Sequence, residues 1–463
     1  MDSNYDVIVC GGGTAGACAA IAAARLGART LIIEQMGFLG GSQTGGLVLP
    51  YMNYHAGGQQ LITGLHQEII DRLGEWPGGV KTPYFNYELL KYVLEDMALE
   101  AGVELLYHTF VAEAALTPPF GPPSPGGRLR PHGRGDGGEG NRRLSSIIAY
   151  NKSGRQEFFA RQFVDCTGDA DVAFRAGVPC ESGRPEDGLN QSASLRFVVG
   201  NVDLAALAVR VAELTDLPCE PPEVQMGFSK GHTVAPKIEA IVDQAAEEGV
   251  FSAEEGGYVQ FFSVPGRPGE VAFNCPRVTF VDGAKAEDLT KVQVQGRKTI
   301  PKIMEFCRRY LAGFEEAYLV TTAPLPGIRE SRRIVGEYVL QAEDCLQATR
   351  FADRVAKSSY PIDVHNPSGV GVTLKGLPPG EYHDVPYRCL VPLGVDDLLV
   401  AGRCISATFD AQAAIRIEPT CRALGEAAGL AAALCLKLEC TPRELPAETL
   451  LEQLAAQGAN VSV

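Results

Sequence analysis

Three arginines stand within five residues of one another in the second half of the chain. They are Arg329, Arg332 and Arg333, in the stretch GIRESRR, with Glu330 between them. A guanidinium group is planar and donates in pairs, so it can clamp a carboxylate through two parallel hydrogen bonds. Arg329 and Arg332 are therefore candidate catalytic or substrate-binding residues. The alternative interpretation is an ion-pair cluster that ties two parts of the chain together.

One histidine stands where its chemistry would be useful. His365 lies in DVHNPSG, a stretch rich in glycine and proline. An imidazole titrates near neutral pH, so it can act as an acid or a base. Many loop histidines take no part in chemistry, and that interpretation stays open for His365. The seven histidines show neither an H-x-x-x-H spacing nor a cluster with cysteines, so the sequence predicts no metal site.

Residues that could hold an anionic cofactor stand near the N-terminus, in VIVCGGGTAGACAA. Gly11, Gly13 and Gly16 follow an apolar run in G-x-G-x-x-G register, and a small-residue helix begins at Ala15. In a βαβ unit the first glycine makes a tight turn and the second lets the backbone approach a pyrophosphate. The third lets the helix pack against the strand. Glu34 ends the next apolar run, where an acid accepts hydrogen bonds from a ribose diol. This stretch predicts a dinucleotide, either NAD or FAD.

Three further segments resemble the FAD enzymes related to glutathione reductase and fumarate reductase. In that class a Gly-Gly-(small)-Thr element wraps the pyrophosphate and isoalloxazine, and the segment that resembles it is QMGFLGGSQTGG. The segment FVDCTGDAD resembles the strand and Thr-Gly element that returns to the cofactor. The segment LLVAGRCIS resembles the late Ala-Gly element beside the ribityl chain. The order of these segments favours FAD over NAD.

Together, the turn and the resemblance imply a set of cofactor-binding residues. The set is Gly11, Gly13, Thr14, Ala15, Gly16, Glu34, Gln35, Gly41, Ser42, Gln43, Thr44, Val111, Thr167, Gly168, Asp169, Gly402, Arg403, Pro419 and Thr420. In the fumarate-reductase branch a histidine can carry the flavin covalently, but Gln43 stands at that position. We therefore expect non-covalent FAD, with His55 as the alternative attachment point. Pro419 suits the first turn of the last long helix, whose positive end the resemblance places at the flavin N1/O2 edge.

Most of the chain outside about 200–320 resembles a bacterial family known as FAD-dependent oxidoreductases. In the C-terminal half the resemblance lies in GIRESRRIVGEYVL, YPIDVHNP, YHDVPYRCLVP and VAGRCISATFDAQAAIRIEPTCRALGEAAGLAAAL. It implies a cofactor and a fold but leaves the substrate open. Where relatives often carry a histidine and an acid, this sequence has Phe409 and Asp410. A proton shuttle at that position is therefore not expected.

The predicted fold class is α/β. It consists of a Rossmann-like FAD-binding domain, with a parallel sheet, helices and a β-meander, and an inserted mixed α+β substrate domain. The predicted boundaries are 1–190 and 385–463 for the first domain and 191–384 for the second. The Gly/Pro-rich stretch 117–143 is too poor in apolar residues to order itself, and a mobile hairpin tip is expected there. Apolar periodicity predicts helices over Ala15–Leu26, Gln60–Leu73, Tyr84–Leu99 and about Thr420–Leu438, and a strand over Gly102–Leu116.

Composition excludes several classes of partner. The net charge of −15 argues against nucleic acid or an anionic membrane as the main partner, since both require basic patches. No run approaches the roughly 18 apolar residues of a membrane span. The first residues lack a basic segment of the signal-peptide kind, so a cytoplasmic location is expected. Thirteen cysteines without a C-x-x-C spacing predict buried free thiols and no dithiol mechanism.

The favoured function is an FAD-dependent dehydrogenase or reductase that moves a hydride between flavin N5 and a small organic substrate. No second G-x-G-x-x-G stands in a βαβ context, so electrons are expected from the substrate, a partner protein or a diffusible carrier. The first alternative is a flavin-dependent monooxygenase or halogenase. A tRNA-modifying or non-catalytic flavoprotein is less favoured, because the chain lacks a basic stripe. The substrate, the direction of the reaction and the oligomeric state stay open.

Overall fold

A computed structural model describes residues 3–76, 79, 84–117, 142–230, 235–369 and 371–462. The strands are β1 (Asn4–Cys10), β2 (Thr30–Ile33), β3 (His55–Ala56), β4 (Gln59–Gln60), β5 (Glu104–Leu106), β6 (Phe110–Thr117), β7 (Arg142–Asn151), β8 (Gly154–Asp165), β9 (Cys180–Glu181), β10 (Ala193–Ser194), β11 (Phe197–Gly200), β12 (Gln225–Ser229), β13 (Tyr258–Ser263), β14 (Val271–Phe273), β15 (Arg277–Val278), β16 (Tyr318–Thr322), β17 (Arg333–Ile334), β18 (Arg354–Ser358), β19 (Ile362–His365), β20 (Val372–Lys375), β21 (His383–Pro386), β22 (Val395–Asp396) and β23 (Leu398–Val400). The α-helices are α1 (Thr14–Arg25), α2 (Leu65–Glu75), α3 (Tyr87–Glu100), α4 (Asp171–Arg175), α5 (Leu204–Thr215), α6 (Pro236–Glu247), α7 (Ala286–Tyr310), α8 (Ala342–Leu346), α9 (Phe409–Ile415), α10 (Glu418–Leu438) and α11 (Ala447–Ala456).

The main sheet is built around β1. Strands β2 and β8 flank it in parallel, β5 continues beyond β2, and β23 pairs with β8. The last four residues of β1, Val7–Cys10, are fully buried, as expected for a parallel strand covered on both faces. The carboxyl ends of parallel strands meet at one edge of a sheet. Glu34 after β2, Thr167 after β8 and Gly402 after β23 therefore gather at the same edge as the glycine turn after β1.

Strands β6, β7 and β8 form the predicted meander. The pairs β6–β7 and β7–β8 are both antiparallel. The Gly/Pro-rich stretch 117–143 joins β6 to β7, and except for its first and last residues it lies outside the described part of the chain. The expectation of a mobile hairpin tip there stays a prediction.

The backbone of helix α1 packs directly against the backbone of helix α10. A Cβ atom added at Gly425 would stand 2.0 Å from the carbonyl oxygen of Ala15, and one added at Gly429 would stand 2.0 Å from that of Ala19. Two glycines one helical turn apart therefore let the two helices approach more closely than alanine permits. This contact fixes the position of α10 relative to the glycine turn that follows β1.

A second sheet has five antiparallel strands in the order β12-β13-β14-β11-β16. Its inner side is aromatic, with Phe197 and Phe273 stacked at 4.5 Å between ring centroids. Helices α5, α6 and α7 belong to the same part of the chain, inside the predicted insertion 191–384. The α/β fold class is confirmed, and the exact domain boundaries stay a prediction.

Two predicted elements differ from the structure. Helix α2 begins at Leu65 rather than Gln60, because Gln60 pairs with His55 in a short hairpin and Gly64 has φ 60°. The strand predicted over Gly102–Leu116 is divided into β5 and β6, because His108 between them has φ 51°. Left-handed backbone interrupts both a helix and a strand.

Within the described ranges, no helix has both the length and the apolar character needed to cross a membrane. Nor do His, Cys, Asp and Glu side chains of those ranges form a group of three that could hold a metal ion. None of the thirteen cysteines, which all lie in the described ranges, forms a disulfide bond, and ten of them are buried.

The contact between α1 and α10 generates a stability prediction. We expect Gly429→Ala to lower the free energy of unfolding by about 1–3 kcal/mol, because the added methyl group overpacks a backbone contact. Thermal unfolding measures the effect. Gly376→Ala is the matched control, since a Cβ at Gly376 meets nothing within 4 Å, and it should change stability by less than about 0.5 kcal/mol. Equal melting temperatures for the two variants would contradict the close approach.

Candidate active site

One cleft runs from the carboxyl edge of the main sheet to the second sheet. Its cavity volume is about 250 Å³. Fourteen of the nineteen predicted cofactor residues line it: Gly11, Gly13, Thr14, Ala15, Glu34, Gln35, Gly41, Ser42, Val111, Thr167, Gly168, Asp169, Gly402 and Arg403. Residues scattered over most of the chain thus share one cavity.

The glycine turn after β1 opens one end of the cleft. Gly11 has φ 93°, and a Cβ there would lie 2.6 Å from the carbonyl oxygen of Cys166. Gly13 caps α1 without a side chain, and no acidic residue stands in the first turn of that helix. The amide groups of this turn have no intrahelical acceptor, so they form an anion site at the positive end of the helix. A Cβ at Gly13 would approach only the Cα of Gly41, at 3.9 Å.

Glu34 is held beside this turn with both oxygens in use. Oε2 accepts from the amide of Gly12 at 2.6 Å, and Oε1 accepts from that of Met36 at 2.7 Å. Burial raises the pKa of Glu34 above its ordinary value, and the two backbone amides oppose that rise. Each carboxylate oxygen has a further lone pair, so Glu34 can also accept from hydroxyl groups in the cleft.

Hydrogen bonds and an ion pair connect the loops that follow β8 and β23 beneath the cleft. Asp165 is fully buried and accepts from the amide and the hydroxyl of Thr167, at 3.0 and 2.7 Å. Asp169 accepts from Arg403 at 2.8 Å and from the hydroxyl of Ser331 at 2.5 Å. These bonds hold the lining of this part of the cleft in place before any ligand arrives.

Five predicted cofactor residues are not among the described residues that line the cleft. They are Gly16, Gln43, Thr44, Pro419 and Thr420. Gly16 supports the turn, since its Cβ would stand 1.8 Å from the carbonyl oxygen of Gly11. Thr44 donates to the carbonyl of Leu39 at 2.7 Å. These two residues shape the backbone of the site rather than facing its contents.

Gln43 is turned away from the cleft. It is fully buried, and its Oε1 accepts from Nε and Nη2 of Arg422 at 3.3 and 3.1 Å. An amide side chain in this position offers no nucleophile for a covalent link. His55, the alternative attachment point, is exposed in the β3–β4 hairpin and is absent from the described lining of the cleft.

The three clustered arginines have different surroundings. Arg332 donates to Asp171 at 2.5 Å, and Arg333 donates to the buried Glu330. For these two residues the arrangement is the ion-pair cluster that the sequence left as an alternative. Arg329 lines the cleft.

Among the residues that the structure describes, Arg329 is a buried cation without a carboxylate partner. Its side chain donates to the carbonyl of Ser192 at 2.6 Å and to the hydroxyl of Ser194 at 2.9 Å, and both acceptors are neutral. Burial and then the nearby cations of Arg277 and Arg196 lower the pKa of Arg329 well below its ordinary value. The two serine contacts fix the guanidinium in position without neutralising it.

His365 lies next to this arginine group but outside the described lining of the cleft. Its Nδ1 accepts from Arg277 at 2.7 Å, and its Nε2 lies 3.3 Å from Asp363 Oδ2. Burial and then the Arg329 cation lower the pKa of His365 well below its ordinary value. The imidazole therefore stays neutral near pH 7, which suits a residue that positions Arg277 rather than a proton donor.

Two further arginines reach the cleft and were missed from the sequence. Arg196 is 8% exposed, and within the described ranges no protein acceptor bonds its side chain. Burial lowers the pKa of Arg196 to about 10. Arg416 donates to the carbonyl of Asp363 at 3.0 Å and also lines the cleft. A signal for Arg196 was present, because it is the only charged residue in the apolar run SASLRFVVG.

A carboxyl group missed from the sequence lies in the same part of the cleft. Glu418 is the first residue of α10 and is 7% exposed. Burial raises the pKa of Glu418 to about 7, although Arg196, Arg422 and Arg416 oppose the rise. A group with this pKa changes its protonation state at neutral pH. Its signal in the sequence was only the tripeptide IEP before an alanine-rich helix.

This chain is similar to one known protein family and, at low identity, to several solved structures. A family model described as FAD dependent oxidoreductase matches residues 6–454. A geranylgeranyl bacteriochlorophyll reductase-like protein from Thermoplasma acidophilum is 12% identical with a TM-score of 0.45, over 99% of this chain and 84% of that one. The myxobacterial chondrochloren halogenase CndH is 14% identical with a TM-score of 0.41, over 98% and 78%. A search of the curated proteins found no match.

The glycine turn generates a prediction about cofactor binding. We expect Gly13→Ala to keep the fold, because the added methyl group meets no protein atom closer than 3.9 Å. It should weaken FAD binding roughly tenfold or more, equivalent to about 1.4 kcal/mol, because the methyl group occupies the space beside the α1 amides. The measurement is the flavin released by acid precipitation of the purified protein, where Gln43 predicts release into the supernatant.

Gly376→Ala serves again as the control and should retain full flavin content. If Gly13→Ala unfolds, the turn is packed more tightly than its geometry indicates. Full FAD content in a folded Gly13→Ala protein would place the cofactor elsewhere.

Proposed function

This chain belongs to the FAD-dependent oxidoreductase family, and we propose that it is a dehydrogenase or reductase acting on a small organic substrate. The observation that supports this proposal is the continuity of the cleft. The glycine turn and Glu34 line one part, while Arg329, Arg196 and Glu418 line another part of the same cavity. A cofactor site and a group of charged side chains therefore open into one space.

FAD fits the donors and acceptors of the first part. We propose that the α1 amides receive its pyrophosphate, that Glu34 receives a ribose, and that Val111 lies at the adenine end. Bound FAD supplies a ring that accepts or returns a hydride, which amino-acid side chains do not. We propose that the link is non-covalent, because the buried Gln43 occupies the attachment position.

Glu418 is the proposed acid or base. Because its pKa lies at about 7, the carboxyl group is protonated in part of the molecules and ionised in the rest at neutral pH. In substrate oxidation a carboxylate oxygen of Glu418 accepts the proton that the substrate loses. In reduction the protonated form returns it. This role replaces the one that the sequence assigned to His365, whose pKa is shifted below the useful range.

Arg329 is the proposed orienting group. Its contacts with Ser192 and Ser194 hold the guanidinium in one position, so little order is lost when a substrate binds. The segment 325–328 forms an apolar wall beside it, and two backbone hydrogen bonds between Gly327 and Ser194 fix that wall. A charged group against an apolar wall acts in a low local dielectric, where its field is strongest.

The proposed role of Glu418 predicts a pH profile. We expect kcat/KM for substrate oxidation to rise with pH and level off above about 7, because the base must be ionised. Glu418→Gln should remove this break and lower the rate by ~10²–10⁴, the usual contribution of a general base. Steady-state rates between pH 5 and pH 9 measure it.

Glu426→Gln is the matched control for that experiment. Glu426 stands on the same helix, and burial also raises its pKa to about 7, but it accepts from the amide of Leu65, outside the described lining of the cleft. This variant should keep the break near pH 7. If Glu426→Gln removed the break in the pH profile and Glu418→Gln did not, the proposed role of Glu418 as the acid or base would be wrong.

The reaction class is tested by anaerobic reduction. We expect oxidised protein to lose its flavin absorbance when mixed with a substrate under nitrogen, without any other electron donor. A monooxygenase or halogenase would instead need a separate reductant and would couple substrate turnover to consumption of O₂. Substrate modification that occurs only with O₂ and added reductant would overturn the dehydrogenase proposal in favour of that alternative.

A further inference from the structure

We propose that the substrate is an organic acid, and that its carboxylate binds to Arg196 and Arg329. These two residues, with Arg277 and Arg416, form a group that we name the cationic chamber. The inference rests on the proposed function and specifies the chemical class of its substrate. It follows from the balance of charge around the chamber.

The chamber holds more buried positive charge than the protein neutralises. Asp363 is the carboxylate at its rear, and His365, Arg416 and Tyr360 hold the pKa of Asp363 well below its ordinary value against the opposing effect of burial. Arg416 lies 3.7 Å from that carboxylate. Asp363 is therefore ionised, and its negative charge offsets positive charge at the rear of the chamber.

Among the described residues, the two cations nearer the cleft have no carboxylate hydrogen-bond partner. Arg329 bonds only to neutral serine oxygens, and the described part of the chain supplies no acceptor to the side chain of Arg196. Burying a cation without a counter-ion is strongly unfavourable, whereas a paired and hydrogen-bonded ion is tolerated. A ligand that brings a negative charge would satisfy both residues at once.

Glu418 does not remove this excess. Its pKa of about 7 means that much of it is uncharged at neutral pH, although Arg196 and Arg416 favour the ionised form. Even when it is ionised, Glu418 and Asp363 together face four guanidinium groups. The chamber can therefore hold the Glu418 carboxylate and a substrate carboxylate together.

The backbone around Arg196 keeps its guanidinium in the cleft. Gly327 lies directly beside it, and a Cβ at Gly327 would stand 2.4 Å from Nη1 of Arg196. Gly327 is itself fixed by two hydrogen bonds to the backbone of Ser194. Because glycine has no side chain, Gly327 leaves room for the guanidinium group of Arg196. The planar guanidinium can form two parallel hydrogen bonds with a carboxylate.

This chamber is separate from the anion site at the start of α1. Gly425, which contacts Ala15, follows Glu418 by seven residues on the same helix. At 1.5 Å per residue, the two positions are about 10 Å apart along α10. The phosphates of FAD, proposed to lie at the α1 turn, therefore do not account for the charge of the chamber.

The test measures binding independently of turnover. FAD-loaded protein is titrated with acetate, succinate, glutarate and benzoate, and with the corresponding neutral amides, by calorimetry and by the shift of the flavin absorbance. We expect saturable binding of at least one acid and none of its amide. Inorganic phosphate is titrated in the same way. If phosphate binds more tightly than every acid, the proposed carboxylate substrate is wrong and a phosphate ester is favoured instead.

Variants then locate the binding site. Arg196→Met should weaken binding of the acid roughly tenfold to a hundredfold, because a charge-assisted hydrogen bond in a dry site is lost. Arg196→Lys should restore part of the affinity. Arg297→Met is the matched control, since Arg297 is exposed on α7 and donates to Gln293, and it should bind the acid like the unmodified chain. If Arg196→Met does not fold, Arg329→Lys tests the other proposed carboxylate ligand and should also weaken binding of the acid, because the paired guanidinium donors are lost.

The outcomes separate this inference from the proposed function. Acid binding that depends on Arg196, without any flavin reduction, would support the chamber and count against the dehydrogenase. Flavin reduction by neutral compounds, with no acid bound, would keep the dehydrogenase and overturn the chamber's role. A lowered flavin potential in Arg196→Met with unchanged acid affinity would also overturn it, because the chamber would then serve the flavin.

Discussion

The close approach of α1 to α10 is the contact on which the site depends. Gly425 and Gly429 let the backbone of α10 rest on carbonyl groups of α1, so the two helices share one buried layer against the main sheet. One helix supplies the amides of the anion site, and the other begins with Glu418. Because the contact is between backbones, it fixes the relative position of these two features more firmly than side-chain packing would.

Positive charge is organised in two different ways around the cleft. Arg332, Arg333 and Arg403 each have a carboxylate partner, so they connect loops and contribute mainly to the rigidity of the lining. In the described part of the chain, neither Arg196 nor Arg329 has one. The same residue type is structural where an ion pair neutralises it and available to a ligand where it is left unpaired, and only the surroundings decide which.

Burial also reverses the expected order of the titrating groups. His365 has the side chain that ordinarily titrates near neutrality, but burial beside cations keeps it neutral. Glu418 ordinarily ionises at acidic pH, but the same desolvation raises its pKa to about 7. One physical effect thus removes the histidine from proton transfer and makes a glutamate suitable for it. Asp363 keeps its charge because His365, Arg416 and Tyr360 surround it.

The sequence by itself determined the βαβ unit, the position of Glu34 and many of the residues that line the cleft. Those features depend on local backbone geometry: an apolar strand, glycines in a fixed register and an acid at the end of the next strand. It did not reveal Arg196, Arg416 and Glu418, which lie as much as 222 residues apart and meet only in the folded chain. It also could not assign Arg329 and Arg332 to different roles. Pairing and burial are properties of the tertiary structure, since desolvation and charge partners depend on which distant segments pack together.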